Sequence, residues 1–400
     1  MYNVRKIQED LFWVGANDRR LAKFENVHPI PEGTSYNSYV LLDDKTVLFD
    51  TADKDVSEQF LENIKHVLGD RELDYIVVNH IEPDHGASLA NVLKEYPKAQ
   101  VVSTKKADAF MKQFGFCEKE VQIVKEGDSL SFGKHNVTFY MATMVHWPEV
   151  MVTYDETTKT LFSADAFGAF GALDGKIFAD ETGLDAPVDE YMRRYYTNIV
   201  GKYGPQVQKV LAKAANLDIE MICPLHGPVF RTQEDIEWIV SKYDLWSRYV
   251  PEEKGVLICY ASMYGGTAEA ADILGRMLCE RGVTEFEVHD VSRTDHSLLI
   301  SKAFRYSNLA FLSVTYNMGL FPVMHSLIHE MQGLNLQNRT VAIVENGTWA
   351  PASGKVMTEM VSSMKNMTIL EEGLSIKSRL TEDNLVQLEK LADAIVESMK

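Results

Sequence analysis

Six consecutive positions, His80-Ile81-Glu82-Pro83-Asp84-His85, carry four groups able to bind a metal, directly after the apolar run Tyr75-Ile76-Val77-Val78-Asn79. Imidazole nitrogens and carboxylate oxygens suit borderline and hard metal ions, and four of them on a loop at the end of a strand read as half of a metal site. The other half is predicted from His146 after Met144-Val145, Asp165 after Phe162-Ser163-Ala164, and His226 in Cys223-Pro224-Leu225-His226-Gly227. Each follows an apolar strand, so the side chains should gather on one rim of a sheet structure. A lone His after a strand is more ordinary as a cap; the set together points to metal. Cys117, Cys223, Cys259 and Cys279 are the only cysteines and have no close spacing. A disulfide scaffold and a Cys-type knuckle are thereby disfavoured, and any metal must be held by His and carboxylate.

A second constellation lies further along. The strand Val256-Leu257-Ile258-Cys259-Tyr260 opens onto Ser262-Met263-Tyr264-Gly265-Gly266-Thr267 and a predicted helix. Hydroxyls and glycines at such a turn surround a phosphate with donors at a helix N-terminus. Neither Gly-x-Gly-x-x-Gly nor a Gly-Lys-Ser/Thr loop is present, which disfavours NAD and ATP. Two more strand-end loops, with Thr315-Tyr316-Asn317-Met318-Gly319 and Asn346-Gly347-Thr348-Trp349 at their centres, lie where ligands sit in a doubly wound sheet. Three such loops can hold one phosphate and both faces of an aromatic ring, with Trp349 as a stacking residue. His325 and His329, at i and i+4, lack a nearby Glu to complete a metal motif, and His135 reads as a turn residue.

The elements that must position these groups divide at a linker, Ser247 to Gly255. Before it, strands are predicted at 11–14, 36–42, 45–50, 75–79, 99–103, 121–124, 136–143, 150–153, 160–163 and 219–223. Helices are predicted at 52–68 and from Thr232, and after Pro187 the pattern turns helical. This is an α/β sandwich of two sheets. After it, strands near 256–260, 286–290, 308–313 and 340–345 alternate with helices, and a last helix is N-capped by Thr381 with Leu385, Leu388, Leu391, Ile395 and Met399 on one stripe. The expected domains are 1–250 and 251–400. At 400 residues, 46% hydrophobic and 24% charged, the chain builds real cores. With 40 basic and 58 acidic side chains its formal charge is −18, the wrong sign for nucleic acid or an anionic membrane face. Without a signal-peptide or membrane-spanning run, a cytoplasmic protein is expected.

The first constellation resembles the metallo-β-lactamase fold, whose zinc hydrolases carry His-x-His-x-Asp-His; here Glu82 replaces the second His. Hard anionic oxygen ligands favour iron over zinc and allow a carboxylate to bridge. His-x-Glu-x-Asp-His followed by His, Asp and His resembles the flavodiiron proteins, or A-type flavoproteins, in their two-domain class. The resemblance implies that His80, Glu82 and His146 bind one iron, that Asp84, His85 and His226 bind the other, and that Asp165 bridges them. The second constellation is similar to flavodoxin, a doubly wound parallel sheet. That similarity makes Ser262 to Thr267 the phosphate loop and sets Thr315 to Gly319 and Asn346 to Trp349 around the isoalloxazine of FMN.

The activity so implied is an oxidoreductase passing electrons through FMN to a non-haem diiron site that reduces O₂ to water, NO to N₂O, or both. Rubredoxin, a flavin reductase or reduced F420 would be the external donor. A domain of 250 residues has a radius of gyration of roughly 18 Å, so the family's answer to the distance between cofactors, a head-to-tail homodimer or a tetramer, is expected here too. The rivals are a zinc hydrolase fused to a flavodoxin domain and an electron carrier with a vestigial metal site. Phe24, His28, Tyr195 and Tyr196 are candidates for influencing the choice of gas.

Overall fold

The computed structural model describes residues 1–184 and 188–400; Pro187 lies outside the described residues. The chain divides into two compact units, Met1–Asp244 and Leu245–Lys400. The first holds a seven-stranded sheet in the order Arg5–Lys6, Leu11–Trp13, Tyr39–Leu42, Thr46–Phe49, Tyr75–Val77, Gln100–Ser103, Gln122–Ile123. It also holds a five-stranded sheet in the order Ser129–Ser131, Asn136–Met141, Met151–Asp155, Thr160–Phe162, Met221–Cys223.

Alternation along the strands builds two cores from one sheet. Tyr39, Leu41, Val47, Phe49, Val77 and Val102 pack against Phe139, Met151, Phe162 and Cys223 of the second sheet. Val40, Leu48, Ile76 and Val101 face the other way and pack beneath Phe60, Ile64 and Leu68 of the helix Ser57–Leu68 and Met111 of the helix Lys105–Phe114. Burial on both faces is why 75–78 reads as an unbroken apolar run.

The expected strand 36–42 is two strands, Thr34–Tyr36 and Tyr39–Leu42. Asn37 leaves the ladder because its backbone N–H donates to Leu225 O at 2.7 Å and its side chain to Pro224 O and Gly227 O at 2.9 and 2.8 Å.

The second unit is a parallel sheet in the order Phe286–Asp290, Glu253–Ala261, Tyr306–Tyr316, Thr340–Asn346, with Leu374–Ile376 beside the last of these. This is the 2-1-3-4-5 doubly wound order. Leu374–Ile376 escapes periodicity because it is only three residues long, after Glu371-Glu372-Gly373. The linker is shorter than predicted: a helix runs to Ser247 and Glu253-Lys254-Gly255 already belong to the first strand. Thr381 caps the last helix in a reciprocal capping box with Asn384, and Leu388, Leu391 and Ile395 form its buried stripe. No helix among the described residues is long and apolar enough to cross a membrane.

Candidate functional site

His80, Asp165 and His226 each lie three residues past the end of a strand, Val77, Phe162 and Cys223 in turn. The last two strands are parallel neighbours with Phe162 opposite Cys223, so equal offsets bring Asp165 and His226 to the same height on one rim. His80 follows Tyr75–Val77, an interior strand of the seven-stranded sheet, and its N–H and that of Asn79 donate to the buried Asp50 at 3.1 and 2.7 Å. Glu82, Asp84 and His85 follow on the loop and the short helix Pro83–Gly86. Gly227 is required beside His226: its φ is +73°, and a Cβ there would sit 2.7 Å from the Ala169 Cβ.

The ligand atoms converge as two groups, His80, Glu82, His146 and Asp165, and Asp84, His85 and His226. Glu82 Oε2 lies 3.1 Å from His80 Nε2 and 3.0 Å from His146 Nε2. Asp84 Oδ2 is 3.2 Å from both His85 Nε2 and His226 Nε2. Asp165 serves both groups: its Oδ2 is 3.2 Å from His146 Nε2, and its Oδ1 is 3.2 Å from His85 Nε2. The ring of His85 therefore turns into the cluster.

The electrostatics suit cations. Burial disfavours the charged forms of His80, His85, His146, Glu82, Asp84 and Asp165, yet their neighbours win. Asp165, Glu149 and Glu82 hold the His80 pKa well above its ordinary range, and that of His146 rises to about 9 beside Asp165 and Glu82. His80 and His146 hold the carboxyls of Asp165 and Glu82 below their ordinary range, and His85 and His226 do the same for Asp84. Asp84 Oδ1, Asp165 Oδ1 and His85 Nδ1 are buried without a hydrogen-bond partner. Buried carboxylates with vacant lone pairs facing imidazole Nε2 atoms fit a pair of metal ions, which would replace the protons that otherwise hold the cluster together.

Aromatic residues outside the ligand set surround this centre. The indole of Trp147 packs edge-on to His80 with ring centroids 5.6 Å apart and also contacts Phe110 and Phe114, so it both packs and shields. Phe24 and Tyr195 pack on the His226 ring at 5.2 and 5.4 Å. Tyr196 turns to Tyr243, and His28 to Phe170. Sequence reasoning missed Glu149, whose carboxylate accepts from His80 Nδ1 at 2.7 Å. It missed Glu25 as well, on the turn after Lys23–Phe24, where its carboxyl meets Glu82; loss of hydration at that contact and the charge of Glu82 push its pKa up. Glu25 lines a cleft of about 440 Å³ with Lys23, Asp53, Glu82 and Asp84.

In the second unit the three loops line one cleft of about 810 Å³, a volume suited to a cofactor. Ser262, Met263, Tyr264, Gly266 and Thr267 form one side, Thr315, Tyr316, Asn317 and Met318 a second, and Asn346, Gly347, Thr348 and Trp349 a third. Gly265 and Gly319, expected among them, do not line it. Gly265, at φ +96°, instead starts the helix Gly266–Glu280, whose first turn has no side-chain cap and leaves its N–H groups open to an anion. Thr267 is buried, and its hydroxyl accepts from Asn346 Nδ2 at 3.3 Å. Ser378, unforeseen, closes the floor by donating its N–H to Asn346 Oδ1 at 3.0 Å. Tyr264 and Trp349 are 95% and 83% exposed, an apolar lip around an apolar cleft. His325 and His329 are exposed on the helix Pro322–Gly333, outside both sites. His135 does more than turn the chain: it is buried between Asp155 and Asp10.

A β-lactamase-type metal domain followed by a flavodoxin-like domain defines a class of redox proteins. Residues 34–227 match the family model described as ODP family beta lactamase. The chain is 31% identical to the rubredoxin-oxygen oxidoreductase of Megalodesulfovibrio gigas over 99% of its own length and 98% of that protein. It is 30% identical to the anaerobic nitric oxide reductase flavorubredoxin of Klebsiella pneumoniae, over 94% of this chain and 78% of that one. The flavodiiron protein of Giardia intestinalis superposes with a TM-score of 0.92 at 26% identity, covering 99% and 98% of the two chains. The chain belongs to the flavodiiron protein family.

Proposed function

We propose that this chain is a reductase of oxygen, nitric oxide or both: FMN held by residues 251–400 receives electrons from a donor in trans, and a non-haem diiron site in residues 1–250 reduces O₂ to water, NO to N₂O, or both. The observation that carries the reading is Asp165, whose two oxygens face two separate groups of ligand atoms. His80, Glu82 and His146 would hold one iron, and Asp84, His85 and His226 the other. Glu82 in place of a third neutral imidazole tilts the first group toward iron rather than zinc. When bound, FMN supplies electrons singly or in pairs and the irons supply the positions at which a diatomic gas is reduced.

The residues of the chain bind, orient and exclude. Asp50 fixes the backbone of the ligand loop at Asn79 and His80. Trp147 packs its ring on His80, and Phe24 and Tyr195 pack theirs on His226, keeping bulk water off these two imidazoles. In the second unit the open N–H groups at Gly266 and Thr267 would take the phosphate, and Tyr316 and Trp349 the ring system. A rubredoxin-type donor follows from the relatives' names; a flavin reductase and reduced F420 are the alternatives. A head-to-tail homodimer or tetramer and a cytoplasmic location belong to the same reading. Anaerobic reduction followed by stopped-flow mixing with O₂ and, separately, NO tests it. Fast flavin reoxidation by at least one gas, lost when iron is removed, is expected; equally slow reoxidation with and without iron refutes it.

A further inference from the structure

We propose that Glu149 is a positioning residue that makes the two metals inequivalent, giving the metal on the His80 side the stronger imidazole donor and the tighter hold. This rests on the diiron reading above. The three fully buried histidines of the cluster differ in what lies behind them: a carboxylate, a backbone carbonyl, and no hydrogen-bond partner. His80 Nδ1 donates to Glu149 Oε1 at 2.7 Å. His226 Nδ1 donates to a backbone carbonyl, Ser35 O, also at 2.7 Å. His85 Nδ1 is buried with no hydrogen-bond partner.

A carboxylate accepts and cannot donate, so it fixes the proton of His80 on Nδ1 and leaves the Nε2 lone pair facing Glu82 and Asp165. An anionic acceptor draws that proton more strongly than a carbonyl does, which raises the donor strength of Nε2. Glu149 is only 2% exposed, and its second oxygen has no hydrogen-bond partner. Besides His80 it takes one bond, from the Ile81 N–H at 3.2 Å.

The backbone aims this group. Thr104 Oγ1 donates to Glu149 O at 3.0 Å, and Met151 N donates to Asn79 O at 3.0 Å, docking the 146–151 segment along the end of the His80 strand. One loop thus supplies His146 to the inside of the cluster and, three residues on, the carboxylate behind His80.

The test uses full-length protein loaded with ⁵⁷Fe and read by Mössbauer spectroscopy and by iron release to a chelator. Wild-type protein must first take up two irons per chain; fewer overturns the diiron reading itself. Given two, one equivalent of iron added to the metal-free wild type should populate mainly one quadrupole doublet, a result that depends on no variant. Glu149→Gln, which keeps shape and acceptor but removes charge, should shift that same doublet alone and weaken that iron by about 10–100-fold. Glu149→Asp should fall between the two. Equal filling of both doublets at one equivalent, or a Glu149→Gln protein whose two irons change together or not at all, overturns the inference while leaving the diiron reading intact.

Discussion

Replacing Asn37 by Ala tests how the fold holds the metal centre, because the side chain is fully buried and makes three hydrogen bonds. Its amide N donates to Pro224 O and Gly227 O, and its oxygen accepts from Trp13 Nε1 at 2.9 Å. Pro224 O keeps a second donor, the Tyr39 hydroxyl at 2.7 Å. Asn37→Ala therefore strands two buried groups, the Trp13 N–H and Gly227 O. An orphaned buried polar group costs about 1–3 kcal/mol, so the expected loss is about 3 kcal/mol after some relief by water. For a unit of this size each kcal/mol lowers the melting temperature by about 2–4 °C, which predicts a fall of about 6–12 °C in the transition of the first unit by calorimetry. Gly227 adjoins His226, so iron should also leave the Asp84, His85 and His226 group first, and elemental analysis should approach one iron per chain. Asn37→Asp keeps the acceptor for Trp13 but sets a carboxylate against two carbonyls, and should destabilise at least as much. An Asn37→Ala protein that melts within about 1 °C of wild type and keeps both irons would refute this account of the loop.

Two further outcomes follow from the same geometry. Asp165→Asn removes the charge from the one carboxylate whose oxygens reach both ligand groups among the described residues; iron content should fall to one or fewer per chain with unchanged circular dichroism, and retention of two irons contradicts the bridging role. His135 is a pH-dependent clamp outside the metal-ligand cluster: burial works against its charge, but Asp155 at 2.6 Å and Asp10 at 2.9 Å raise its pKa from 6.5 to about 9. Because the folded value is raised, the contribution is complete below about pH 6.5 and disappears as pH rises through 9. Discounted for screening at the partly solvated Asp10, it amounts to about 1–2 kcal/mol. The urea-stability gap between wild type and His135→Gln should narrow by that amount from pH 6 to pH 10, and a constant gap would be inconsistent with it.

What could be read from the chain alone was what depends on neighbours in sequence. His80 to His85 announce themselves by density, and His146, Asp165 and His226 by following apolar strands. Glu149 does not, because a glutamate ahead of a strand ordinarily faces water, and its burial against His80 arises only when the 146–151 segment docks along Asn79. Glu25 is hidden for the same reason, lying on a polar turn some sixty residues from the Glu82 it meets. The break at Asn37 is likewise tertiary: 36–42 has the composition of one strand, and only the carbonyls at 224–227 supply a reason to interrupt it. In the second unit the glycines of the first loop drew attention to phosphate, yet Gly265 shapes the turn while Ser378, more than a hundred residues away, closes the cleft floor.

The precision of the centre then follows from register more than from the loops themselves. Asp165 and His226 ride on paired parallel strands at equal offsets from Phe162 and Cys223. A slip of one residue between these strands would shift one ligand by about 3.3 Å and turn it to the opposite face, against a tolerance near 0.2 Å in a metal–ligand bond. Register here is pinned from outside the ladder. Glu220 N and Met221 N both donate to Lys159 O, Asn37 clasps the carbonyls on either side of His226, and Phe162 stacks on Phe49 of the facing sheet at 3.8 Å. His80 comes from that facing sheet and Asp165 from this one, so metals bridged by Asp165 would tie the two sheets together at their shared rim. Metal binding and closure of the sandwich would then be one equilibrium: each contact that holds the register would raise metal affinity, and each metal bound would stabilise the register.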